Sequence, residues 1–246
     1  MQALGIDIGG SGIKGAVVDV ANGELVTERI RISTPREAHA PAVLEILHEL
    51  IRKLGWKAGP VGIGFPGVIR ENRICTAVNL HESLVGVNLA QELKDLPGGP
   101  VKVINDADAA GVAEMRFGAG RPCSQSGTVL LLTVGTGIGA VLFTNGVLVP
   151  NLELGHLEYR GRNAESYVAE RARKEEGLSW KQWGKRFNGF LAHLEFVLQP
   201  DLIILGGGGV KKPEKFREQI KITTPWTIAA SGNRAGLIGA ALAATA

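Results

Sequence analysis

Cysteine is scarce in this chain, and its scarcity excludes two architectures. Only Cys75 and Cys123 occur, with no CxxC or other ligand spacing, so neither a disulfide framework nor a structural zinc site is supported. Both read as free thiols in a reducing compartment. Aromatic residues make up 5% of the chain, the net charge is only +3, and there is no helix-turn-helix, zinc-finger or RNA-binding signature, which argues against nucleic acid as a partner. No apolar run approaches bilayer length, and Met1-Gln2-Ala3-Leu4 leads straight into a strand. The expectation is a soluble cytoplasmic protein with no membrane contact. A G-x-x-x-x-G-K-[ST] phosphate loop and low-complexity linkers are missing as well.

What is present is core and repetition. With 246 residues and 45% hydrophobic content, the chain can bury one large core or two small ones. An internal duplication favours two. Gly10-Ser11-Gly12-Ile13-Lys14-Gly15-Ala16-Val17 is matched by Gly135-Thr136-Gly137-Ile138-Gly139-Ala140-Val141, and Asn22-Gly23-Glu24-Leu25-Val26 by Asn145-Gly146-Val147-Leu148-Val149. Each copy reads as an apolar strand, a turn of glycine and hydroxyl groups, a second strand and an Asn-Gly hairpin turn. Glycine admits close approach, and successive free N–H groups form an anion nest that Ser11 and Thr136 can extend. One such copy alone would be only a hairpin; two matching copies point to phosphate. The G-x-G-x-x-G at Gly10, Gly12 and Gly15 is not a dinucleotide fingerprint. That motif must open a helix, whereas Ala16-Val17-Val18-Asp19-Val20 is a returning strand.

The spacing predicts strands at 4–8, 13–20 and 25–32, a helix at 41–54 with Val43, Leu44, Leu47, Leu50 and Ile51 on one face, and strands at 61–65 and 101–104. A helix starts at Asn105. Beyond the second copy come helices at 164–176 and 179–198, a strand at 202–205 and an alanine-rich helix at 235–244. This alternation defines an α/β protein with mixed sheets. Charge is uneven along it: residues 160–221 hold 13 Lys/Arg against 8 Asp/Glu, the remainder 14 against 16. Solvated helix faces such as Arg171, Arg173 and Lys174 explain most single residues, while the sum, with Lys14, can guide a polyanion towards the glycine turns.

Chemistry concentrates at two places. Asp106 stands where a strand ends and a helix starts, with Asp108 in the next turn, so that one carboxylate can cap while the other works. Phosphoryl transfer to an alcohol needs a carboxylate to accept the hydroxyl proton, and Asp106 is the candidate base. Asn105 offers a donor and an acceptor to a sugar hydroxyl, and the Gly64-Phe65-Pro66-Gly67 turn offers backbone to a cleft. The second place is Glu153-Leu154-Gly155-His156, followed by Glu158 and Glu165. Leucines alternate with Glu153, so a strand or extended loop would put it on the polar side. Carboxylates with an imidazole suit a polyol. A divalent ion is the competing reading, though without a second His or a cysteine zinc is disfavoured.

The runs Gly5-Ile6-Asp7-Ile8-Gly9-Gly10-Ser11-Gly12-Ile13-Lys14-Gly15, Ile104-Asn105-Asp106-Ala107-Asp108-Ala109-Ala110-Gly111, Leu152-Glu153-Leu154-Gly155-His156 and Leu202-Ile203-Ile204-Leu205-Gly206-Gly207-Gly208 resemble the ROK sugar-kinase family, and within it the polyphosphate-using glucokinase branch. The runs ending Ala113-Glu114-Met115-Arg116-Phe117-Gly118-Ala119-Gly120 and Ser179-Trp180-Lys181-Gln182-Trp183 extend the likeness nearly end to end. The resemblance implies two duplicated actin-like, ribonuclease H-like α/β domains around an inter-domain cleft: residues 1–105, joined by the C-terminal helix 235–246, and a larger domain at 106–234. It implies phosphorylation of the 6-hydroxyl of glucose by inorganic polyphosphate, with ATP as a further donor, by a cytoplasmic homodimer. Asp106 would be the base. Asn105, Gly67, Asn79, Glu153, His156 and Glu165 would hold glucose. Gly9, Gly10, Ser11, Gly12, Lys14, Gly135, Thr136, Gly137, Gly207 and Gly208 would hold the donor, with Asp7 reaching Mg2+ through water and no zinc site.

Three positions depart from the branch: His81 and Leu84 stand where an Asp and a Trp are expected, and Lys211 where a serine is usual. A strictly ATP-dependent ROK hexokinase is the nearest alternative. A ROK-type sugar sensor would carry a helix-turn-helix ahead of the first glycine turn, and only four residues precede Gly5. An actin-like assembling ATPase would lack use for the Glu153–His156 segment.

Overall fold

Two sheets of one plan carry the chain. In the computed structural model, which describes residues 1–77, 80–94 and 99–246, β1 (Gln2–Gly9) and β2 (Gly12–Asp19) form the first hairpin, and β3 (Glu24–Leu25) and β4 (Ile30–Ile32) both pair with β2. Helix α1 (Ala40–Lys53) leads to β5 (Val61–Phe65), parallel to β1. A minimal hairpin, β6 (Ile69–Arg70) with β7 (Arg73–Ile74), and the short α2 (Leu89–Glu92) precede β8 (Val101–Asn105), parallel to β5. The order is β3-β2-β1-β5-β8.

The second sheet repeats it. After α3 (Asp106–Phe117) come β9 (Thr128–Val134), β10 (Ile138–Thr144) and β11 (Val147–Val149). A small ribbon, β12 (Glu158–Tyr159) with β13 (Arg162–Asn163), is followed by α4 (Glu165–Val168), α5 (Glu170–Glu175) and α6 (Trp180–Leu198). Then β14 (Leu202–Gly206), β15 (Trp226–Ile228) and α7 (Ala235–Ala243) close the chain. The order β11-β10-β9-β14-β15 matches the first sheet strand for strand. Such a match is what an internal duplication leaves behind.

The chain divides into two units, Met1–Ala113 with Asn233–Ala246, and Glu114–Gly232. Each has its own core. In the first, α1 buries Val43, Ile46, Leu47, Leu50 and Ile51 against the apolar faces of β1, β2 and β5. In the second, α6 buries Trp183, Phe187, Phe190, Leu191 and Leu194 against β9, β10 and β14. Ser179 and Gln182 close a reciprocal cap at its start. Glu114, only 1% exposed, accepts from the Ala119, Ala230 and Ser231 N–H groups, which compensates a buried carboxylate.

Three local expectations change. The strand expected over 25–32 splits, because Thr27 Oγ1 takes the Val17 N–H at 3.0 Å and replaces a rung of the ladder. In the first copy Asp19 pairs with Glu24, so Asn22-Gly23 ends a longer loop; in the second Thr144 pairs with Val147 and Asn145-Gly146, both at positive φ, make the tight turn. The helix expected over 164–176 breaks at Ala169, whose ψ of 161° is extended. The break frees the Val168 carbonyl for the Trp183 indole at 2.9 Å and turns the Arg171 N–H onto Gly135 O at 3.3 Å. Tertiary bonds outweigh helix propensity there.

Candidate active site

In the first unit, hairpin register does the positioning. Asp7 lies opposite Lys14 across β1 and β2, and Lys14 Nζ sits 2.9 Å from Asp7 Oδ2. Gly10 and Ser11 form the turn that joins Gly9 to its partner Gly12. On the other side of β2, Arg31 of β4 faces Lys14. Its side chain turns back over the hairpin, where Nη2 donates to Ser11 O at 2.6 Å. Thr34 Oγ1 donates to Gly9 O, also at 2.6 Å. Gly12 is required for this arrangement, since a Cβ there would stand 2.5 Å from Arg31 Nε. Neither Arg31 nor Thr34 was singled out from sequence. The alternation Ile30-Arg31-Ile32 is the signal that sets Arg31 apart from its apolar neighbours, but nothing in the sequence ties it to the turn.

The base candidate stands at the start of α3. Asn105, 8% exposed at the end of β8, caps this helix: its Oδ1 accepts from Ala107 N at 2.8 Å and Asp108 N at 3.0 Å, and its Nδ2 donates to Gly67 O at 3.1 Å. The cap expected of an aspartate is thus supplied by the neighbouring asparagine. Asp106 is half-buried, with Oδ1 2.8 Å from Ala107 N, while Asp108 is only 1% exposed. Gly67 is buried in the turn after β5, bonded to the Asn105 amide. Asn79 lies outside the described residues. His81 caps the Glu82–Leu84 turn by accepting from Ser83 N at 3.1 Å, and Leu84 is fully buried, so both departures from the family pattern have local work.

In the second unit, Gly135, Thr136 and Gly137 join β9 to β10, with Gly135 N donating to Gly137 O at 3.0 Å. Here a carboxylate attends the turn. Glu165 Oε2 accepts from Ile138 N at 3.2 Å, and a Cβ on Gly137 would approach that oxygen to 2.4 Å. Glu165 Oε1 lies 4.0 Å from His156 Nε2. Glu153 precedes the short turn Leu154–His156 on a loop rather than on a strand. Burial pushes its carboxyl above the ordinary glutamate range and Glu165 adds to this, while His156 pulls the other way. Three sugar-binding candidates therefore form one electrostatic group, and Glu158 is exposed on β12. Gly207, at φ 86°, packs against Val134, so the run Gly207–Gly208 sits beside the strand end that leads into Gly135.

Duplicated sheets of identical order, each with a glycine turn joining its central strand to the next, define the actin-like α/β class of phosphotransferases and ATPases. The chain belongs to the ROK family, whose model matches residues 3–164. It is 42% identical over 246 residues to a polyphosphate glucokinase of Mycobacterium tuberculosis, covering 100% of this chain and 92% of that protein. The crystal structure of the inorganic polyphosphate/ATP-glucomannokinase of Arthrobacter sp. strain KM is 40% identical, with a TM-score of 0.89 over 98% of this chain and 97% of that one. A ROK hexokinase from Thermus thermophilus is 26% identical with a TM-score of 0.78, over 100% of this chain and 98% of that one.

Proposed function

We propose that the protein is a sugar kinase that transfers a phosphoryl group from inorganic polyphosphate, and also from ATP, to the 6-hydroxyl of glucose. The observation that carries this is the end-to-end 42% identity to a polyphosphate glucokinase. Asp106 accepts the hydroxyl proton as the oxygen attacks phosphorus. Because Asn105 already caps α3 and braces Gly67, it holds the base and the Gly67 turn in register and spares one amide N–H for the sugar. Glu153, His156 and Glu165 accept and donate to the remaining hydroxyls. The donor phosphates lie against Gly9–Gly12 and, in the second unit, against Gly135, Thr136, Gly207 and Gly208.

Magnesium is the cofactor of this reading. Among the described residues no three His, Cys, Asp or Glu side chains group as a metal site. A lone Asp7 fits an ion that takes most of its ligands from phosphate oxygens and water. Bound there, Mg2+ would neutralise charge on the donor phosphates. Asp7, itself braced by Lys14, would hold it through water. The reading also includes a homodimer in the cytoplasm. The homodimer is supported by the exposed Phe196 and Val197 near the end of α6, which a second copy would cover; among the described residues no helix is long and apolar enough to cross a membrane.

Glucose phosphorylation measured with polyphosphate and ATP side by side tests the reading. Turnover with both supports it; turnover with ATP alone leaves a ROK hexokinase; turnover with neither removes the kinase.

A further inference from the structure

We propose that Arg31 is the cation that grips the terminal phosphate of the donor at the first glycine turn. The inference rests on the proposed kinase reading and names a residue that reading did not include. Lys14 is the basic residue that the glycine motif itself contains, but its ammonium is engaged 2.9 Å from Asp7 Oδ2. Arg31 reaches the turn from a different strand. It is exposed, and among the described residues no carboxylate lies within salt-bridge distance of it.

The turn is prepared for an anion by what covers its carbonyls. Gly9 O and Ser11 O, the groups that would repel phosphate, accept from Thr34 Oγ1 and Arg31 Nη2 at 2.6 Å each. Among the described residues, neither Gly10 nor Ser11 donates its N–H to another backbone group. Two N–H groups of the turn therefore have no backbone acceptor, next to a guanidinium that has used one of its five donors. A planar guanidinium suits two oxygens of one phosphate at once, in a way an ammonium cannot. The absence of a side chain at Gly12 lets it lie flat over the hairpin. What this site recognises is the phosphoanhydride end group that polyphosphate and ATP share.

Arg31→Gln and Arg31→Lys test it, read by steady-state kinetics with each donor and by calorimetry of tripolyphosphate binding to the protein without sugar. In Arg31→Gln the KM for both donors rises about ten- to hundredfold and tripolyphosphate affinity falls by a similar factor. The KM for glucose stays within about twofold, and the melting temperature is unchanged because the side chain is exposed. Arg31→Lys recovers only part of the loss. The inference is overturned if tripolyphosphate affinity and donor KM are unmoved in Arg31→Gln, if the loss falls on one donor only, or if glucose KM rises equally, which would make Arg31 a brace of the turn. Wild-type protein that transfers phosphate from neither donor sinks the kinase reading instead, while tripolyphosphate binding still reads Arg31 directly.

Discussion

At the first glycine turn a guanidinium and a hydroxyl donate to the backbone carbonyls, from Arg31 and Thr34; at the second, a carboxylate, Glu165, accepts from Ile138 N. The two hairpins descend from one pattern and occupy equivalent places in sheets of the same order. Their surroundings have nonetheless acquired opposite sign. A phosphate gains from the first, whereas the Gly137 end of the second would set it against an anion, and that end sits in the Glu153, His156 and Glu165 group. Duplication supplied two nests, and side chains arriving from other elements gave them different work.

If that division holds, changes at Asp106 and around the first turn should show in chemistry and donor kinetics, and changes to the carboxylate and imidazole group beside the second turn in sugar affinity. The largest expected effect is at Asp106. Asp106→Ala or Asp106→Asn should lower kcat by about a thousandfold or more with glucose affinity little changed, because the carboxylate acts on a proton in transit. Single-turnover kinetics with glucose calorimetry checks both halves. A variant that keeps a substantial fraction of kcat puts the base elsewhere, and Asp108 is next to test.

Next in size is the second turn. Glu165→Gln and His156→Ala should each weaken glucose binding by about five- to a hundredfold, the cost of leaving a hydroxyl of the bound sugar without its partner, with donor KM nearly constant. Unchanged glucose affinity in both variants would break the comparison. So would a rise in donor KM alone.

Salt should separate the donors by a smaller margin. Polyphosphate kcat/KM should fall steeply with ionic strength, ATP less so, and glucose KM scarcely at all, since long polyanions respond to the summed field of residues 160–221 and glucose does not. Equal slopes for polyphosphate and ATP would reduce that basic stretch to a solvated surface.

How much of this was legible in advance follows the range of the interactions. Period and turn chemistry gave the helix at 41–54, the strand at 61–65 and the paired glycine turns, because each depends on neighbours within a few residues. The break at Ala169 depends on a bond from Trp183, and the anchoring of the Asn105 amide on a bond to Gly67 O, both distant in sequence. Arg31 was hidden for the same reason. Its position is set by the pairing of β4 with β2, which no local pattern encodes.

The smallest effect, and the most discriminating for the second turn, concerns pH. Burial and Glu165 hold the Glu153 carboxyl above the ordinary glutamate range, against the opposing pull of His156. A carboxyl whose folded-state pKa is raised contributes stability that is fully present below its unfolded pKa and is lost as pH rises through the folded value. At neutral pH ionised Glu153 is therefore a cost to the fold. Glu153→Gln should raise the melting temperature at pH 7, and the advantage should shrink as pH is lowered into the ordinary glutamate range. Activity should move the other way: wild type loses glucose affinity on the acid side at a pH above that range, whereas the glutamine variant binds glucose weakly with no such acid limb. Thermal melts and glucose titrations across pH check both. A variant that melts below wild type at neutral pH, or wild-type glucose affinity that is flat through the acid range, would remove Glu153 from the charged group at the second turn.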